Sequence, residues 1–233
     1  MNPQPLLCEL HAHTSWSDGS LTLTELVDLY GMHGFDVLCV TDHVVPGNPA
    51  YLTEARSGRY LAAIEREGRR AREQYDLLVI SGVELTFDDA DPAASAHALA
   101  LGVHAWIPVD GGLERALVTA GEQGAALVAA HPHGARPDHA TRHTTRWFWH
   151  NRTAHGLVHR WELINRDQTF GWVADADLPC IATGDFHRPE HLETWKTFLP
   201  CVKSEEAVIA YLRSAARAYV IPWHLRNAAR LAA

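Results

Sequence analysis

The amino-acid sequence predicts a single-domain α/β fold. The chain has 233 residues, a length that one α/β barrel commonly has. Short apolar runs alternate with longer amphipathic segments, which is the pattern of parallel βα units. Polar residues follow the apolar runs, and in an α/β barrel the chemistry is built where the strands end. These three observations favour a barrel whose functional groups gather at one edge.

The composition excludes several other classes of protein. The chain is 47% hydrophobic and 21% charged, which is typical of a globular protein with a sizeable core. Its apolar runs are far shorter than the ~18 residues of a membrane span. The net charge of −8 offers no basic surface to nucleic acid or to an anionic membrane. We therefore expect no stable nucleic-acid partner and no membrane attachment.

The N-terminus and the cysteines indicate the cellular compartment. Residues 1–7 have no basic region and no cleavage pattern of a signal peptide. The four cysteines form no CxxC pair, and three of them fall in apolar, strand-like runs, so we expect buried thiols in a reducing compartment. A cytoplasmic protein is the resulting expectation. The cysteines are Cys8, Cys39, Cys180 and Cys201.

Capping residues and apolar runs place the individual elements. Residues 22–33 predict a helix, because Thr22 and Glu25 have the spacing of a capping box and Gly34 is a stop. The other predicted helices are 51–74, broken near Gly58, then 113–122, and 204–216 with Ser204 as its cap. The predicted strands are 6–11, 36–41, 77–84, 96–106, 125–130, 161–164, 180–183 and 197–202.

Five of the predicted strands end in residues that bind metals or carry protons. Histidine is abundant, with 16 residues against 20 lysines and arginines, and imidazole is a common metal ligand. Each motif alone is weak, because a lone His or Asp at a strand end is often a turn or cap residue. Their recurrence at five strand ends favours one shared site. The motifs are His11-Ala12-His13 with Ser17-Asp18-Gly19 after it, Thr41-Asp42-His43, Gly82-Val83-Glu84, His131-Pro132-His133, and Gly184-Asp185-Phe186-His187.

The spacing within these motifs suits metal binding. Residues i and i+2 of a strand face the same side, about 6.6 Å apart along it, so His11 and His13 can converge on one ion. Asp185 and His187 share a face in the same way. Mixed imidazole and carboxylate ligands suit Zn, Mn or Fe, and adjacent ions can share a carboxylate and a hydroxide.

In this order the motifs resemble those of the polymerase and histidinol phosphatase (PHP) family, from His11 to His187. The resemblance implies a TIM-like, distorted seven-stranded (β/α) barrel that forms one domain over residues 1–233. It also implies a phosphoesterase site with two or three divalent metal ions.

The resemblance also implies which residues hold the ions. Some family members have a histidine near the position of Asp18. With a carboxylate at this position, the number of bound ions, two or three, stays open. His104 is an alternative to His97. The implied ligands are His11, His13, Glu84 and Asp185 for the first ion, Glu84, His97 and His131 for the second, and Asp18, His43 and His187 for the third. Glu162, in a Glu-x-x-Asn strand, is expected to be an inward structural acid.

The composition of residues 132–160, which is dense in histidine, arginine and aromatic residues, predicts a loop-rich insert. It could be a lid that brings arginine to an anionic substrate, a partner interface anchored on Trp147 and Trp149, or a surface helix with buried aromatics. The candidate substrate contacts are Arg136, Arg142 and Lys196, with an exposed lysine as the alternative for Lys196.

The expected function is metal-dependent hydrolysis of a phosphate ester in a small molecule or nucleotide. His133 and His187 are the candidate acids for the leaving alkoxide, although His187 cannot act while it holds a metal. Two alternatives remain. The same hydroxide could attack a carbonyl carbon in an amide, ester or lactone, or the chain could be a non-catalytic metal-binding module. The sequence leaves the oligomeric state open.

Overall fold

The computed structural model describes residues 4–135 and 144–225, which form a mixed β-sheet with helices packed around it. The strands in this part of the chain are β1 Leu6–Glu9, β2 Val37–Val40, β3 His43–Val44, β4 Leu78–Phe87, β5 Ala96–Leu101, β6 Ala126–Ala130, β7 Arg160–Asn165, β8 Gln168–Thr169, β9 Cys180–Thr183, β10 Trp195–Leu199 and β11 Tyr219–Pro222. The helices are α1 Leu23–Met32, α2 Glu54–Tyr75, α3 Leu113–Glu122, α4 Trp147–His150, α5 Gly171–Asp175 and α6 Glu205–Arg213.

The sheet curls into a half-barrel. Nine strands follow one another in the order β11-β10-β1-β2-β4-β5-β6-β7-β8, while β3 pairs with β4 and β9 pairs with β7. Beyond β9 the chain returns to the first strand, because the His13 amide donates to the Phe186 carbonyl at 2.8 Å. The segment after β9 therefore lies beside the segment after β1.

The α/β class is confirmed, but the strand number is not the expected seven and the sheet is not purely parallel. Strand β5 runs antiparallel to β4, because residues 88–95 are too few for the crossover that parallel strands need. Strands β10 and β11 add an antiparallel hairpin beside β1. The predicted strand 96–106 ends at Leu101, since Gly102 has a positive φ of 80°.

Two apolar clusters form the core. Because strand side chains alternate, Leu7 packs in the cluster under the helices, while Cys8 packs in the cluster inside the curl. The cysteines are free thiols; Cys180 is half-buried and the other three are buried. Among the residues described, no helix is both long and apolar enough to cross a membrane.

The helix signals were largely correct. The Thr22–Glu25 capping box is present at the start of α1, and the Ser204 hydroxyl accepts from the Ala207 amide at the start of α6. The break near Gly58 is wrong, because α2 is continuous. A glycine costs a helix about 1 kcal/mol, which a 22-residue helix packed on the sheet tolerates.

The described part of the insert packs aromatic residues onto the core. Phe148 in α4 is buried and meets Trp161 with 5.2 Å between ring centroids. Trp147 and Trp149 are half-buried, and Trp149 meets Trp172 at 5.4 Å. Aromatic packing therefore accounts for Phe148.

Candidate metal centre

The structure brings all nine of the sequence-predicted ligands to one edge of the curled sheet. They form three groups, and within each group the potential ligand atoms lie within 4.8 Å of one another. His13 belongs to two groups, so these groups are adjacent. The groups are His11, His13 and Asp185; Glu84, His97 and His131; and His13, Asp18, His43 and His187.

Glu84 lies between these groups and faces imidazoles with both carboxylate oxygens. It is 1% exposed and sits in the long strand β4, directly opposite His43 of β3 in the parallel register. A carboxylate with imidazoles at both oxygens could hold an ion on each side. From Oε1 the distances are 2.9 Å to His97 Nδ1 and 3.3 Å to His131 Nε2; from Oε2 they are 3.1 Å to His11 Nε2, 3.2 Å to His13 Nε2 and 3.1 Å to His43 Nδ1.

Glu162 orients His11 from the opposite side of the ring. It is fully buried, and its Oε1 accepts from His11 Nδ1 at 2.8 Å. The carboxylate also accepts from the Thr183 hydroxyl, the Asn165 amide and the backbone N–H of His131. Holding the proton on Nδ1 leaves Nε2 free to act as a ligand, which is the usual arrangement behind a metal-bound histidine. Glu162 is thus the inward acid that the sequence predicted.

The surroundings of His13 show whether these residues fit a metal. Both of its ring nitrogens are buried, and neither makes a hydrogen bond within the described ranges. A buried polar atom without a partner costs about 1–3 kcal/mol, so such atoms are rare. Its Nε2 lies 3.2 Å from Glu84 and 3.4 Å from Asp185. A divalent ion among these groups would satisfy the imidazole, and the mixed nitrogen and oxygen donors suit Zn, Mn or Fe.

The third group depends on the loop after β1. Asp18 is within 3.6 Å of His43 Nε2 and 3.4 Å of His187 Nε2. The loop is held by Asp42, which faces away from the centre and accepts from the backbone and hydroxyl groups of Thr14 and Ser17. The Asp42 carboxylate therefore fixes the turn that carries Asp18.

Two of the candidate ligands adopt backbone conformations that are unfavourable for residues other than glycine. His131 has φ 29° and Asp185 has φ 41°. Such conformations cost about 1–3 kcal/mol each and concentrate at functional sites. His131 directly follows β6, and Asp185 follows β9 after Gly184. The sharp turn at each residue aims its side chain into the cluster.

Burial and charge shift the pKa values in the cluster in opposite directions. Burial alone would lower the pKa of His97, but Glu84 and Asp88 raise it to about 9. Burial is likewise outweighed at His187, where Asp18 and Asp185 raise the pKa to about 10. At His43 burial prevails and lowers the pKa to about 3. Despite its burial, Glu84 has a pKa well below its usual range because of the surrounding imidazoles.

His133 lies beside the cluster and is not one of its ligand groups. Its Nδ1 lies 3.3 Å from the Thr145 amide nitrogen and 3.4 Å from the Thr145 hydroxyl, and its Nε2 lies 3.2 Å from the Gln168 amide nitrogen. Burial and the nearby His131 lower the pKa of His133 to about 4. The ring is therefore neutral near pH 7, with one ring nitrogen protonated, and its part in proton transfer stays a prediction.

Two other sequence candidates lie away from the cluster. His104 is 71% exposed on its side chain and pairs with Glu205, whereas His97 is in the cluster. Lys196 is buried, and its ammonium lies 2.9 Å from the Glu9 carboxylate. This buried pair argues against Lys196 as a substrate contact, and the exposed lysine considered as its alternative is wrong as well. Arg136 and Arg142 lie outside the described residues.

Sequence reasoning missed Arg166. Its guanidinium lies 3.0 Å from Asp185 Oδ2 and 2.9 Å from His187 Nδ1. Arg166 directly follows β7, so the rule that picked the other strand ends would have found it. It was overlooked because arginine is not a metal ligand.

The fold and this cluster define an α/β protein with a candidate metal centre. The model of the PHP domain family matches residues 9–182, so the chain belongs to that family. None of the curated proteins compared with the chain matches it.

Solved structures show the same fold. One is a two-domain protein from Bacteroides vulgatus that contains a predicted PHP-like metal-dependent phosphoesterase, with TM-score 0.70, 22% identity and 93% of this chain covered. The chain spans 64% of the length of that protein. Another is an amidohydrolase from Chromobacterium violaceum with bound sulfate and no metal, with TM-score 0.51, 18% identity and coverage of 78% of this chain and 88% of that one. At these identities the likeness concerns the fold.

Proposed function

We propose that this chain is a metal-dependent phosphoesterase that hydrolyses a phosphate ester of a small molecule or nucleotide. The observation that carries the proposal is Glu84, whose two oxygens face separate sets of imidazoles. Paired ions that share a ligand are typical of phosphatases and nucleases, because they stabilise both the attacking and the leaving oxygen. Membership of the PHP family supports the same chemistry.

The proposed centre holds two or three divalent ions, Zn, Mn or Fe. We assign the first to His11, His13, Glu84 and Asp185, the second to Glu84, His97 and His131, and the third to Asp18, His43 and His187. The 40% exposed side chain of Asp18 makes the third position the most accessible to solvent. When bound, such ions supply an ionised water near neutral pH and positive charge for the phosphoryl oxygens.

The protein's own residues prepare the site for this chemistry. Glu162 holds His11 with Nε2 turned toward the cluster. His133, at the edge of the centre, is one candidate for protonating the leaving oxygen. His187 stays the other candidate for protonating the leaving oxygen, provided that its ring does not hold an ion.

We further propose that residues 1–233 act as one domain, with residues 132–160 as a lid that brings arginine to the phosphate. Arg136 and Arg142 are the proposed contacts, since a guanidinium matches phosphate oxygens in a bidentate way. The only partner proposed is the phosphorylated small molecule.

The alternative is attack on a carbonyl carbon by the same centre. It is kept because the Chromobacterium violaceum neighbour is described as an amidohydrolase. A non-catalytic module that binds metal is the remaining possibility, and it requires tight metal binding with no turnover.

Elemental analysis and a substrate panel test the proposal. We expect two to three equivalents of Zn, Mn or Fe per chain in protein purified without chelator. The panel contains p-nitrophenyl phosphate, bis-p-nitrophenyl phosphate, nucleoside monophosphates and p-nitrophenyl acetate. His13→Ala should lose both metal and turnover, while His104→Ala, outside the cluster, serves as the matched control and should keep both.

Each outcome decides between the candidates. Activity on a phosphate ester that depends on metal and on His13 supports the proposal. Hydrolysis of the acetate with no phosphate ester turned over would favour the carbonyl alternative. Metal content well below one equivalent, unchanged by added metal, would exclude the centre altogether.

A further inference from the structure

Arg166 touches the candidate centre without being able to bind a metal. It follows β7, and β7 pairs in parallel with β9, so the end of each strand lies beside the other. The side chain is 37% exposed and crosses from one strand end to the next. Its partners there are Asp185 and His187, both candidate ligands.

The guanidinium occupies one oxygen of Asp185 and leaves the other to the cluster. Arg166 Nη2 lies 3.0 Å from Asp185 Oδ2. The opposite oxygen, Oδ1, lies 3.5 Å from His11 Nε2 and 3.4 Å from His13 Nε2. A carboxylate turned away from this orientation would lose the contact with Arg166. The arginine therefore fixes the orientation in which one carboxylate oxygen faces the imidazoles.

Arg166 also supports the backbone of Asp185. Its Nε donates to the main-chain oxygen of Asp185 at 3.1 Å. Both residues have positive φ angles, 52° and 41°, which are unfavourable for side chains other than glycine. The Arg166 amide donates in turn to the Thr183 carbonyl at 3.0 Å. The two strained turns thus hold each other in place.

A further contact reaches His187. Arg166 Nη2 lies 2.9 Å from His187 Nδ1, which also lies 3.0 Å from the main-chain oxygen of Asp185. A ring that holds a metal through Nε2 carries its proton on Nδ1 and donates it to that oxygen, which also accepts from Arg166 Nε. An ordinary exposed ion pair contributes little, but here the carboxylate and the main-chain oxygen of Asp185 both meet one side chain, and Asp185 is 10% exposed.

We propose that Arg166 is a positioning residue of the metal centre: it holds the backbone and the carboxylate of Asp185 so that Oδ1 faces the first ion. The inference rests on the proposed centre and deepens it. Replacing a group that orients a ligand typically costs about 10–100-fold in metal affinity.

Titration with Co²⁺ alone tests this, because its visible spectrum reports ligand geometry without any substrate. We expect Arg166→Met to weaken the tightest Co²⁺ site by about 10–100-fold and to alter its spectrum. Arg166→Lys should not restore binding, since an ammonium lacks the planar fork that reaches both the carboxylate and the carbonyl. Millimolar guanidinium should partly restore Co²⁺ affinity in Arg166→Gly.

Arg56→Met is the matched control. Arg56 is also half-buried and donates to two backbone carbonyls, of Tyr51 and Trp16, but it contacts no candidate ligand carboxylate. Its replacement should leave Co²⁺ affinity and spectrum unchanged. Arg166→Met with parental affinity and spectrum would overturn the inference. If Arg166→Met does not fold, Arg166→Lys binding as tightly as the parent would overturn it equally.

The experiment separates this inference from the proposed function. A parent protein that binds Co²⁺ and depends on Arg166, but hydrolyses no phosphate ester, would refute the function and leave the inference standing. Phosphoesterase activity with Arg166-independent Co²⁺ binding would do the reverse.

Discussion

Replacing Lys196 by methionine should lower the stability of the fold, because it removes the counter-charge of a buried carboxylate. Both Lys196 and Glu9 are at most 1% exposed, and their charged groups lie 2.9 Å apart. Removing one partner of a buried pair costs about 3–5 kcal/mol. Four other donors remain on Glu9, so we expect the lower end, about 3 kcal/mol. Those donors are the amides of Leu10, His11 and Gly184 and the hydroxyl of Tyr30.

Thermal and urea unfolding of the metal-free proteins measure this loss. For a chain of this length about 3 kcal/mol corresponds to a Tm lower by about 6–12 °C. The double variant Glu9→Gln/Lys196→Met carries no buried charge and should recover part of the loss. Equal stability of Lys196→Met and the parent, with no benefit from the second substitution, would refute the reasoning.

The same variant has a pH signature. Burial lowers the pKa of Lys196, although Glu9 acts to raise it. Between this lowered value and the unfolded value of 10.5, the unfolded chain binds more protons, so the stability of the parent should rise with pH there. Lys196→Met should lack this contribution. A KM unchanged by the substitution would also exclude the substrate contact that the sequence suggested.

Three further predictions concern the centre and its support. Glu162→Gln should weaken metal binding by about 10–100-fold, because the amide no longer accepts from His11 Nδ1 as a carboxylate does. Competition with a chelator measures the metal affinity. An unchanged affinity would contradict the role of Glu162 in orienting His11. Arg160→Met should destabilise the protein by about 2–4 kcal/mol in urea unfolding, since the buried guanidinium donates to three backbone carbonyls at and beyond the end of α6. Metal affinity should stay unchanged. A loss of metal affinity would show that the effect spreads to the centre. Metal affinity should increase with pH up to about 9–10, because the raised pKa values of His97 and His187 keep both rings protonated at neutral pH until a metal displaces the protons. Calorimetry in buffers of different ionisation enthalpy would detect the released protons. No proton release at pH 7 would refute the assignment of these two ligands.

The sequence located the candidate ligands because they sit at strand ends, and strand ends of a curled sheet meet whatever the details of the topology. His131 directly follows an apolar run, and Asp185 follows another after Gly184. The resemblance already favoured His97 over His104. The antiparallel strand β5 places His97 opposite Thr86 of β4, within the cluster.

The errors arise from long-range packing. Lys196 follows a motif loop, which suggested a phosphate contact, but its alternating position in β10 turns it inward onto Glu9. That partner is almost the whole chain away in sequence. The extra strands have the same origin, since β10 pairs with the edge of β1 and β11 pairs with β10.

The meeting of β1 with the segment after β9 has a consequence for the order of folding. Glu9 and Gly184 lie 175 positions apart, and their hydrogen bond joins the stretches that carry His11 and Asp185. During synthesis His11 is therefore made long before Asp185. Contacts between residues so distant in sequence form slowly. In the proposed centre, metal binding would follow this contact, since His11 and Asp185 share the first ion. In a metal-free molecule this closure should open first, and the Gly184 amide should exchange its hydrogen faster than the interior of β4.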